Sequence, residues 1–483
     1  ISRPPPFRCP LTLAAVRLHP SDPPFAAAPL NSLFTTFWQP SRRRARRAYR
    51  SPGADGTGEG DNLYLSSIVA IRPDTGEYVW HYQTTPGETR DFTATQHIIL
   101  ANMKIGGRDR KVLMQAPKNG FFYVIDRATG ELLSAENIVP INWAKGVDLK
   151  TGRPIVDDEA AAYWKGEKKA KLVQPGFWGA HDWHPMSYSP DTGLVYIPAH
   201  IMSAWYEHVP DAPARNKFKS MYQLGLKTGM MPEDPEGLGK YADTWSGKLI
   251  AWDPVKQEQA WEVPYVTIFN GGTLSTAGNL VFEGSADGRV IAYAADTGKK
   301  LWEQPAASGV MAAPITYSVD GEQYVTFMAG WGGAFSTFAG ALSLRAGVQP
   351  YAQVLTYKLG GTAELQEPAP REDAPKPPPL TADAATVEAG AKLYDGYCSQ
   401  CHGIHAVSGG VLPDLRMLTP EKHEQFIGIL HGARIPDGMP SFAEAFDREQ
   451  MEQIHQYLIK RAHDRIEHGP NDLPQSTQKT ASN

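Results

Sequence analysis

The chain has 483 residues, of which 42% are hydrophobic and 20% are charged, and 47 basic against 52 acidic residues give a net charge of −5. This near-neutral balance argues against nucleic acid as a partner, and the absence of an apolar run of about 18 residues argues against a transmembrane helix. Three cysteines exclude a disulfide scaffold, whereas 12 Trp, 45 Gly and 40 Pro favour strands joined by turns.

Residues 1–60 differ in composition from the rest of the chain. They contain ten prolines, no lysine, and the arginine-rich run SRRRARRAYR at 41–50, and no hydrophobic period persists in them. They do not match a secretory signal peptide, and Cys9 has no neighbouring cysteine with which to pair. We predict a disordered or non-homologous segment, with anion or RNA binding by the arginine run as the alternative.

A recurring phrase begins after residue 61: an apolar strand, an Asp-x-Gly turn and then a Trp. It stands at 69–80 (VAIRPDTGEYVW) and at 291–302 (IAYAADTGKKLW), with weaker copies at 124–131 and at 249–261. The Asp and Gly suit the turn, since Asp accepts backbone hydrogen bonds and Gly adopts positive φ. The repetition predicts a β-propeller in which each Trp packs between neighbouring sheets.

The clearest chemical motif is Cys398-Ser399-Gln400-Cys401-His402. C-x-x-C-H attaches c-type haem: the two thiols Cys398 and Cys401 bind the porphyrin covalently and His402 becomes an axial iron ligand. A redox CxxC pair or half of a zinc site is the alternative, although no other cysteine in residues 60–483 could complete a zinc site. The Pro413 carbonyl is predicted to orient His402, and haem c implies an oxidising compartment outside the cytoplasm.

The second axial ligand is expected to be a soft donor downstream of the haem motif. Met439 lies in the Gly/Pro-containing stretch 435–442 (IPDGMPSF), which can hold a sulfur toward iron. Met451 falls on a predicted closing helix and Met417 precedes a turn, so Met439 is the predicted ligand, with a surface loop residue as the alternative.

These features predict a mainly β chain followed by a small all-α cytochrome c domain. A Pro-rich stretch, LQEPAPREDAPKPPP at 365–379, reads as an extended linker between the two. The predicted divisions are an atypical segment at 1–60, the propeller at 61–355, the linker at 356–385, the cytochrome domain at 386–465 and a disordered tail at 466–483.

The combination of a Trp-containing propeller and a CxxCH domain resembles the quinohaemoprotein alcohol dehydrogenases, which carry pyrroloquinoline quinone (PQQ). The resemblance runs from about residue 61 to about residue 462, and the family's propeller has eight blades, of which 61–355 would hold about five. The phrases that carry it most specifically are 60–67 (GDNLYLSS), 87–92 (GETRDF), 115–120 (QAPKNG), 328–333 (MAGWGG) and 408–416 (SGGVLPDLR).

The resemblance implies which residues would form the active site. Asp91 matches the family's catalytic aspartate, which accepts the alcohol proton and also contacts calcium. Lys118 matches a lysine that hydrogen-bonds the quinone, and Asp182 with Trp183 matches an Asn-Trp pair that contacts PQQ. The implied cofactors are PQQ, haem c and calcium, and the implied reaction is oxidation of a primary alcohol in the periplasm. Electrons would then pass to the haem and on to an external acceptor, such as a soluble redox protein or a quinone.

The sequence departs from the family pattern in four places. Arg90 replaces a Trp beside Asp91, where a cation would disturb cofactor packing, and Asp182 replaces an Asn, which adds negative charge near the quinone. A calcium-ligand Asn expected shortly before Tyr49 is absent. The family's upstream half, with its adjacent-cysteine disulfide, is absent as well, which predicts an N-terminally truncated chain.

Three hypotheses therefore stand at the level of the sequence. The first is a PQQ- and haem-dependent alcohol dehydrogenase. The second is a non-catalytic c-type cytochrome, an electron carrier with a propeller remnant. The third is the product of a truncated or misread gene in which residues 1–48 are out of frame.

Overall fold

The structure is a computed structural model that describes residues 11–13, 34–35, 60–160, 171–208, 226–228, 241, 243–370 and 373–470. Strands dominate the described residues up to 359, and helices dominate the described residues from 384 to 468. This confirms the predicted fold class, a partial propeller followed by a small all-α domain.

Twenty-four strands are found in the described part of the chain. They are β1 (Leu11–Leu13), β2 (Phe34–Thr35), β3 (Ser67–Ile71), β4 (Tyr78–Gln83), β5 (Ile99–Ile105), β6 (Arg108–Gln115), β7 (Phe121–Asp126), β8 (Leu132–Asn137), β9 (Ala144–Asp148), β10 (Arg153–Val156), β11 (Lys171–Val173), β12 (Ser187–Ser189), β13 (Leu194–Ile201), β14 (Ala204–His208), β15 (Leu226–Thr228), β16 (Ser246–Asp253), β17 (Glu258–Pro264), β18 (Thr273–Thr276), β19 (Leu280–Gly284), β20 (Arg289–Ala294), β21 (Lys300–Pro305), β22 (Ile315–Val319), β23 (Glu322–Ala329) and β24 (Gln353–Leu359).

Five antiparallel sheets of three or four strands, which we call blades, make up the propeller in the described residues. Their strand orders are β2-β3-β4, β5-β6-β7-β8, β12-β13-β16-β17, β18-β19-β20-β21 and β1-β24-β23-β22. Two further sheets are present: β9-β10 follows the second blade in the chain, and β11-β14-β15 is built from strands that alternate in the chain with those of the third blade. The central strands are buried on both faces, as in β7, where all six residues are buried.

Parts of the segment 1–60 pair with two of the blades. Leu11 in β1 lies opposite Leu359 in β24, and Phe34 in β2 lies opposite Val69 in β3. These short strands were not expected from the sequence, because two or three residues carry no detectable period. The arginine-rich run 41–50 and Cys9 lie outside the described residues.

The repeated Trp docks one blade onto the next. The indole Nε1 of Trp80, in the first blade, donates to Arg127 O of the second blade at 3.3 Å, and Trp261 of the third blade donates to Ala295 O of the fourth at 3.1 Å. Each ring lies on the glycine of the receiving turn, since a Cβ on Gly130 would meet Trp80 at 2.8 Å and one on Gly298 would meet Trp261 at 2.6 Å. The predicted packing of Trp between sheets is confirmed.

The turns that receive these rings share a glycine at positive φ, which is +79° at Gly130 and +70° at Gly298. In the first turn the carboxylate of Asp126, four residues before the glycine, accepts hydrogen bonds from Ala128 N and Thr129 N at 3.0 and 3.3 Å, as predicted. In the second turn Ala294 lies at the position of Asp126, since Gly298 N donates to Ala294 O as Gly130 N donates to Asp126 O. The glycine therefore closes each hairpin and leaves a flat surface for the neighbouring Trp.

Helices form the second domain. The described helices are α1 (Gly333–Phe338), which belongs to the propeller, and α2 (Ala384–Tyr397), α3 (Ser399–His402), α4 (Pro420–Glu424), α5 (Phe426–Gly428) and α6 (Arg448–His468). Asp383 caps α2 by accepting from Thr386 N, and Asp447 forms a capping box with Gln450 at the start of α6. At Gly390 a Cβ would lie 2.0 Å from Gln453 O, so this glycine lets α2 and α6 cross at close range.

The element ends differ slightly from the predicted divisions. β24 continues to Leu359, α2 begins at Ala384, and both ends fall inside the predicted linker 356–385. α6 continues to His468, beyond the predicted domain end at 465, because Arg465 O still accepts a hydrogen bond from Gly469 N. In the described part of the chain, no helix is both long and apolar enough to cross a bilayer.

The docking contact predicts that Gly298→Ala destabilises the propeller by about 2–4 kcal/mol, since the new Cβ adds a clash with Trp261 to the strain of positive φ. Gly193→Ala is the matched control, because Gly193 also adopts φ +70° but its Cβ would meet no atom within 4 Å. The control should lose only about 1 kcal/mol. Equilibrium urea unfolding measures both free energies, and equal losses would contradict the docking role.

Candidate active site

Asp91 lies in the connection between β4 and β5, in a turn held by a buried carboxylate. Glu88 is 6% exposed and accepts hydrogen bonds from Arg90 N at 2.5 Å and from Asp91 N at 3.0 Å. Asp91 itself adopts φ +64°, a left-handed conformation uncommon outside glycine, and nearly half of its side chain is exposed. Burial raises the pKa of Glu88, and backbone hydrogen bonds from Arg90 and Phe92 oppose the rise. The turn therefore presents the Asp91 carboxylate outward.

Lys118 is placed beside Asp91 by the turn between β6 and β7. Its Nζ lies 3.3 Å from Asp91 Oδ2, and only 12% of its side chain is exposed. The chain passes directly over it at Gly179, where a Cβ would lie 2.4 Å from Lys118 Cγ, and Ala180 N donates to Lys118 O at 2.9 Å. Only a glycine permits this approach, which brings the loop that carries Asp182 close to the ammonium group.

The electrostatics of this cluster keep the lysine charged. Burial by itself lowers the pKa of Lys118, but the carboxylates of Asp91 and Asp182 outweigh it, and the pKa is raised. Burial raises the pKa of Asp182, which the nearby Lys118 partly offsets. The result is one buried cation between two carboxylates, with one carboxylate open to solvent.

Trp183 forms an exposed aromatic surface next to this cluster. Its side chain is 50% exposed and its ring stacks on the buried His184 ring, with centroids 4.1 Å apart and planes 27° apart. The loop is fixed by His181, whose ring nitrogens lie 2.7 Å from Ala116 O and 2.7 Å from His184 O. Burial lowers the pKa of His184 to about 3, so the ring beneath Trp183 is neutral. A planar ligand could therefore stack on Trp183 within reach of Lys118.

The Arg90 side chain packs in the protein interior, and the disturbance of cofactor packing at this position stays a prediction. Its side chain is buried, and its guanidinium carbon lies 5.3 Å from the centre of the Trp143 ring. Its carbonyl accepts from the Tyr206 hydroxyl at 2.9 Å. Arg90 thus packs behind the turn that carries Asp91.

The second site lies in the helical domain, at the CxxCH motif. Cys398 ends α2 and His402 N donates to Cys398 O at 2.9 Å, so both thiols lie on one helical turn. The Nδ1 atom of His402 lies 3.0 Å from Pro413 O, as predicted, which leaves Nε2 for an iron atom. These groups suit the covalent attachment and ligation of haem c.

The neighbouring methionines are in different environments. Met439 packs against the apolar core that includes Cys398 and Phe442, in a loop where Met439 N donates to Arg434 O at 3.1 Å. Met417 Sδ instead lies 3.0 Å from Arg465 Nε, which donates to it, and Met451 is fully buried along α6. Met417 and Met451 are thereby less suited to reach iron, and Met439 stays the predicted ligand.

The structure thus brings Asp91, Lys118, Asp182 and Trp183 into one site and places the haem residues in a second. Glu88 and His184 had no predicted role. Glu88 holds the Asp91 turn, and His184 stacks beneath Trp183. Glu88 stood within the quoted phrase 87–92, but nothing in the sequence showed that its carboxylate turns back onto the backbone.

Comparison with known proteins identifies the family. Residues 51–163 and 158–325 match the family model described as "Glucose/ethanol/alcohol dehydrogenase, beta-propeller domain" of the PQQ proteins, which covers more than half of the chain. The chain belongs to this family. Residues 385–458 match the model described as "Cytochrome C oxidase, cbb3-type, subunit III". The predicted resemblance is confirmed.

Relatives of known structure share both domains. The chain is 81% identical over 411 residues to the quinohemoprotein alcohol dehydrogenase ADH-IIG of Pseudomonas putida, covering 85% of this chain and 57% of the relative. The solved structure of ADHIIG superimposes with a TM-score of 0.81, and that of the quinohemoprotein alcohol dehydrogenase of Comamonas testosteroni with 0.71 at 41% identity. These two superpositions cover 85% and 83% of this chain, and 60% and 58% of those chains. The chain therefore spans less than two thirds of these relatives.

The environments of the methionines predict that Met439→Leu lowers the haem reduction potential, because a thioether ligand stabilises ferrous iron. Met417→Leu is the control and should leave the potential unchanged, since its sulfur bonds to Arg465. A redox titration followed by the haem absorption measures the reduction potential of both variants. If the parent and Met439→Leu had equal haem reduction potentials, Met439 would be excluded as an iron ligand.

Proposed function

We propose that the chain takes part in the oxidation of a primary alcohol, with PQQ bound at the Asp91 site and haem c bound in the helical domain. The main support for this proposal is the 3.3 Å contact between the buried Lys118 ammonium and the half-exposed Asp91 carboxylate, next to the exposed face of Trp183. An acid–base pair beside a flat aromatic surface suits an alcohol bound against a planar quinone.

Each side chain has a distinct part in this proposal. Asp91 accepts the proton of the alcohol hydroxyl, because its carboxylate is open to solvent and is paired with the Lys118 ammonium group. Lys118 donates a hydrogen bond to the cofactor and stabilises negative charge there. Trp183 stacks on the cofactor ring, and Asp182 contacts its edge. When bound, PQQ supplies a quinone that accepts a hydride from the carbinol carbon.

Calcium fits one part of the same site. Ca²⁺ takes about six to eight oxygen ligands, and the exposed oxygen of Asp91 can be one of them. Glu88 is not a candidate, since both of its oxygens accept backbone hydrogen bonds. Calcium bound at Asp91 would favour the ionised carboxylate and withdraw charge from the alcohol oxygen.

The helical domain supports the electron-transfer half of the proposal. Cys398, Cys401, His402 and Met439 would hold haem c, which would supply a one-electron carrier between the Asp91 site and an external acceptor, a soluble redox protein or a quinone. Covalent haem attachment, which implies an oxidising compartment, supports a periplasmic location. A second candidate is an electron carrier without alcohol oxidation, which the match to a cytochrome c model and the CxxCH geometry would support by themselves.

Reconstitution separates the two candidates. When Ca²⁺ and PQQ are added to the protein with haem attached, ethanol should reduce the haem. The haem absorption spectrum measures this reduction. Asp91→Asn should slow this reduction by about 100-fold or more, since it removes the base. Asp109→Asn, at an exposed position on β6, should leave the rate unchanged. Haem that is reduced by dithionite but never by alcohol would establish the electron carrier instead.

Binding of the quinone gives a second, independent measurement. Lys118→Ala should weaken PQQ binding by roughly 10-fold to 100-fold, because a hydrogen bond to a charged group contributes about 1.5–3 kcal/mol. Lys111→Ala, at an exposed position on β6, is the control. Titration of PQQ followed by its absorption gives both affinities, and an unchanged affinity in Lys118→Ala would argue against the site.

A further inference from the structure

A continuous series of aromatic rings joins the Asp91 site to the cytochrome domain. We call it the aromatic relay, and its members are Trp183, His184, Phe269, Phe335 and Trp331. All but Trp183 are buried, each being less than 9% exposed.

Each ring of the relay contacts the next. The Trp183 and His184 centroids are 4.1 Å apart, His184 and Phe269 are 5.2 Å apart, and Phe269 stacks on Phe335 at 5.4 Å with planes only 2° apart. Phe335 then meets Trp331 edge to face at 6.0 Å. These separations lie within the range of favourable aromatic pairs, so the relay contains no gap.

The last ring bonds directly to the cytochrome domain. Trp331 Nε1 donates to Gly409 O at 2.7 Å, across the boundary between the two domains. Gly409 lies in the segment between His402 and Pro413, the residue whose carbonyl orients His402. The relay therefore ends on the loop that supports the haem ligand.

Two glycines keep this boundary in close contact. A Cβ on Gly409 would lie 1.8 Å from Ser336 O in α1. A Cβ on Gly340 would lie 3.0 Å from the Cα of Gly403, the residue that follows His402. The cytochrome loop is thus packed backbone to backbone on the propeller, and the contact does not depend on the Pro-rich linker alone.

We propose that the aromatic relay is the path along which single electrons pass from the Trp183 face of the propeller to the haem of the cytochrome domain, with Phe335 as the ring that joins Phe269 to Trp331. This rests on the proposed function for the source of the electrons. Tunnelling weakens with every gap between packed groups, and the relay offers ring contacts followed by one hydrogen bond.

The electron balance is simple. Oxidation of a primary alcohol to an aldehyde releases two electrons and two protons, whereas ferric haem takes one electron to become ferrous. The relay is therefore used twice in each turnover, and the external one-electron acceptor reoxidises the haem after each passage. No bond is formed or broken along the relay, and the two protons leave the Asp91 site to solvent.

The position of Phe335 makes it the residue to test. Trp178 contacts both Phe269 and Phe335, at 4.6 and 5.9 Å, so it offers a side branch but still leads to Phe335. Phe335 in turn is the relay ring in contact with Trp331. Loss of the Phe335 ring should therefore interrupt both branches.

The test injects electrons by light, so it requires neither PQQ nor alcohol. The parent for this test is the haem-containing protein with Cys9→Ser and Trp183→Cys. A ruthenium(II) polypyridyl label is attached to the new thiol, next to His184. After a light flash, the change in haem absorption reports the rate at which ferric haem is reduced. Phe335→Leu should slow this rate by about 10-fold or more, because it replaces a ring with a smaller, non-aromatic group. Phe335→Tyr keeps the ring and should retain the parent rate.

The controls separate the path from mere packing. Phe282→Leu removes a buried ring in β19, away from the relay, and should leave the rate unchanged. Phe269→Leu provides a second interruption if Phe335→Leu does not fold. The haem reduction potential is measured in each variant, and it should not move, so that a slower rate reflects the path and not the driving force.

The light-driven experiment tests the aromatic relay and does not test the proposed alcohol oxidation. The proposal would be overturned if folded Phe335→Leu reduced its haem at the parent rate. It would also be overturned if Phe335→Leu and Phe335→Tyr slowed haem reduction equally. Failure of alcohol to reduce the haem in the reconstitution experiment would instead overturn the proposed function, since the light-driven rate does not depend on it.

Discussion

The contact on which the propeller depends is a tryptophan ring lying flat on the turn glycine of the next blade. Trp80 on Gly130 and Trp261 on Gly298 show the same geometry, with the indole N–H bonded to a carbonyl of the receiving turn. A side chain at either glycine would separate the two sheets. The spacing between blades, and with it the position of every connecting loop, follows from this contact.

The site is built by loops that this spacing brings together. The turn of Asp91, the turn of Lys118 and the loop of Trp183 come from different blades or connections, and they meet because the blades are held at fixed distances. Close approach at Gly179 then places a buried ammonium group between two carboxylates. Such a cluster is costly to bury unless its charges are paired, so its presence at an open surface indicates a binding function.

The two domains are joined more closely than a flexible tether would require. Glycines at 340 and 409 allow backbone contact, and Trp331 adds a hydrogen bond across the boundary. A redox group in one domain is thereby held at a constant distance from a group bound in the other. For electron transfer this constancy matters more than affinity, since the rate depends on separation.

The amino-acid sequence alone specified the repeat, its turns, the haem motif and the family, because each is a local pattern: Asp-x-Gly-x-x-x-Trp and Cys-x-x-Cys-His carry their geometry within one or two turns of chain. It also named Asp91, Lys118, Asp182 and Trp183, but only through resemblance. Tertiary structure alone decided that Arg90 packs on Trp143, that Glu88 holds the Asp91 turn, and that Phe269 and Phe335 stack between the domains. These contacts join residues distant in the chain, and no local pattern records which distant side chain will fill a given space once the blades have packed.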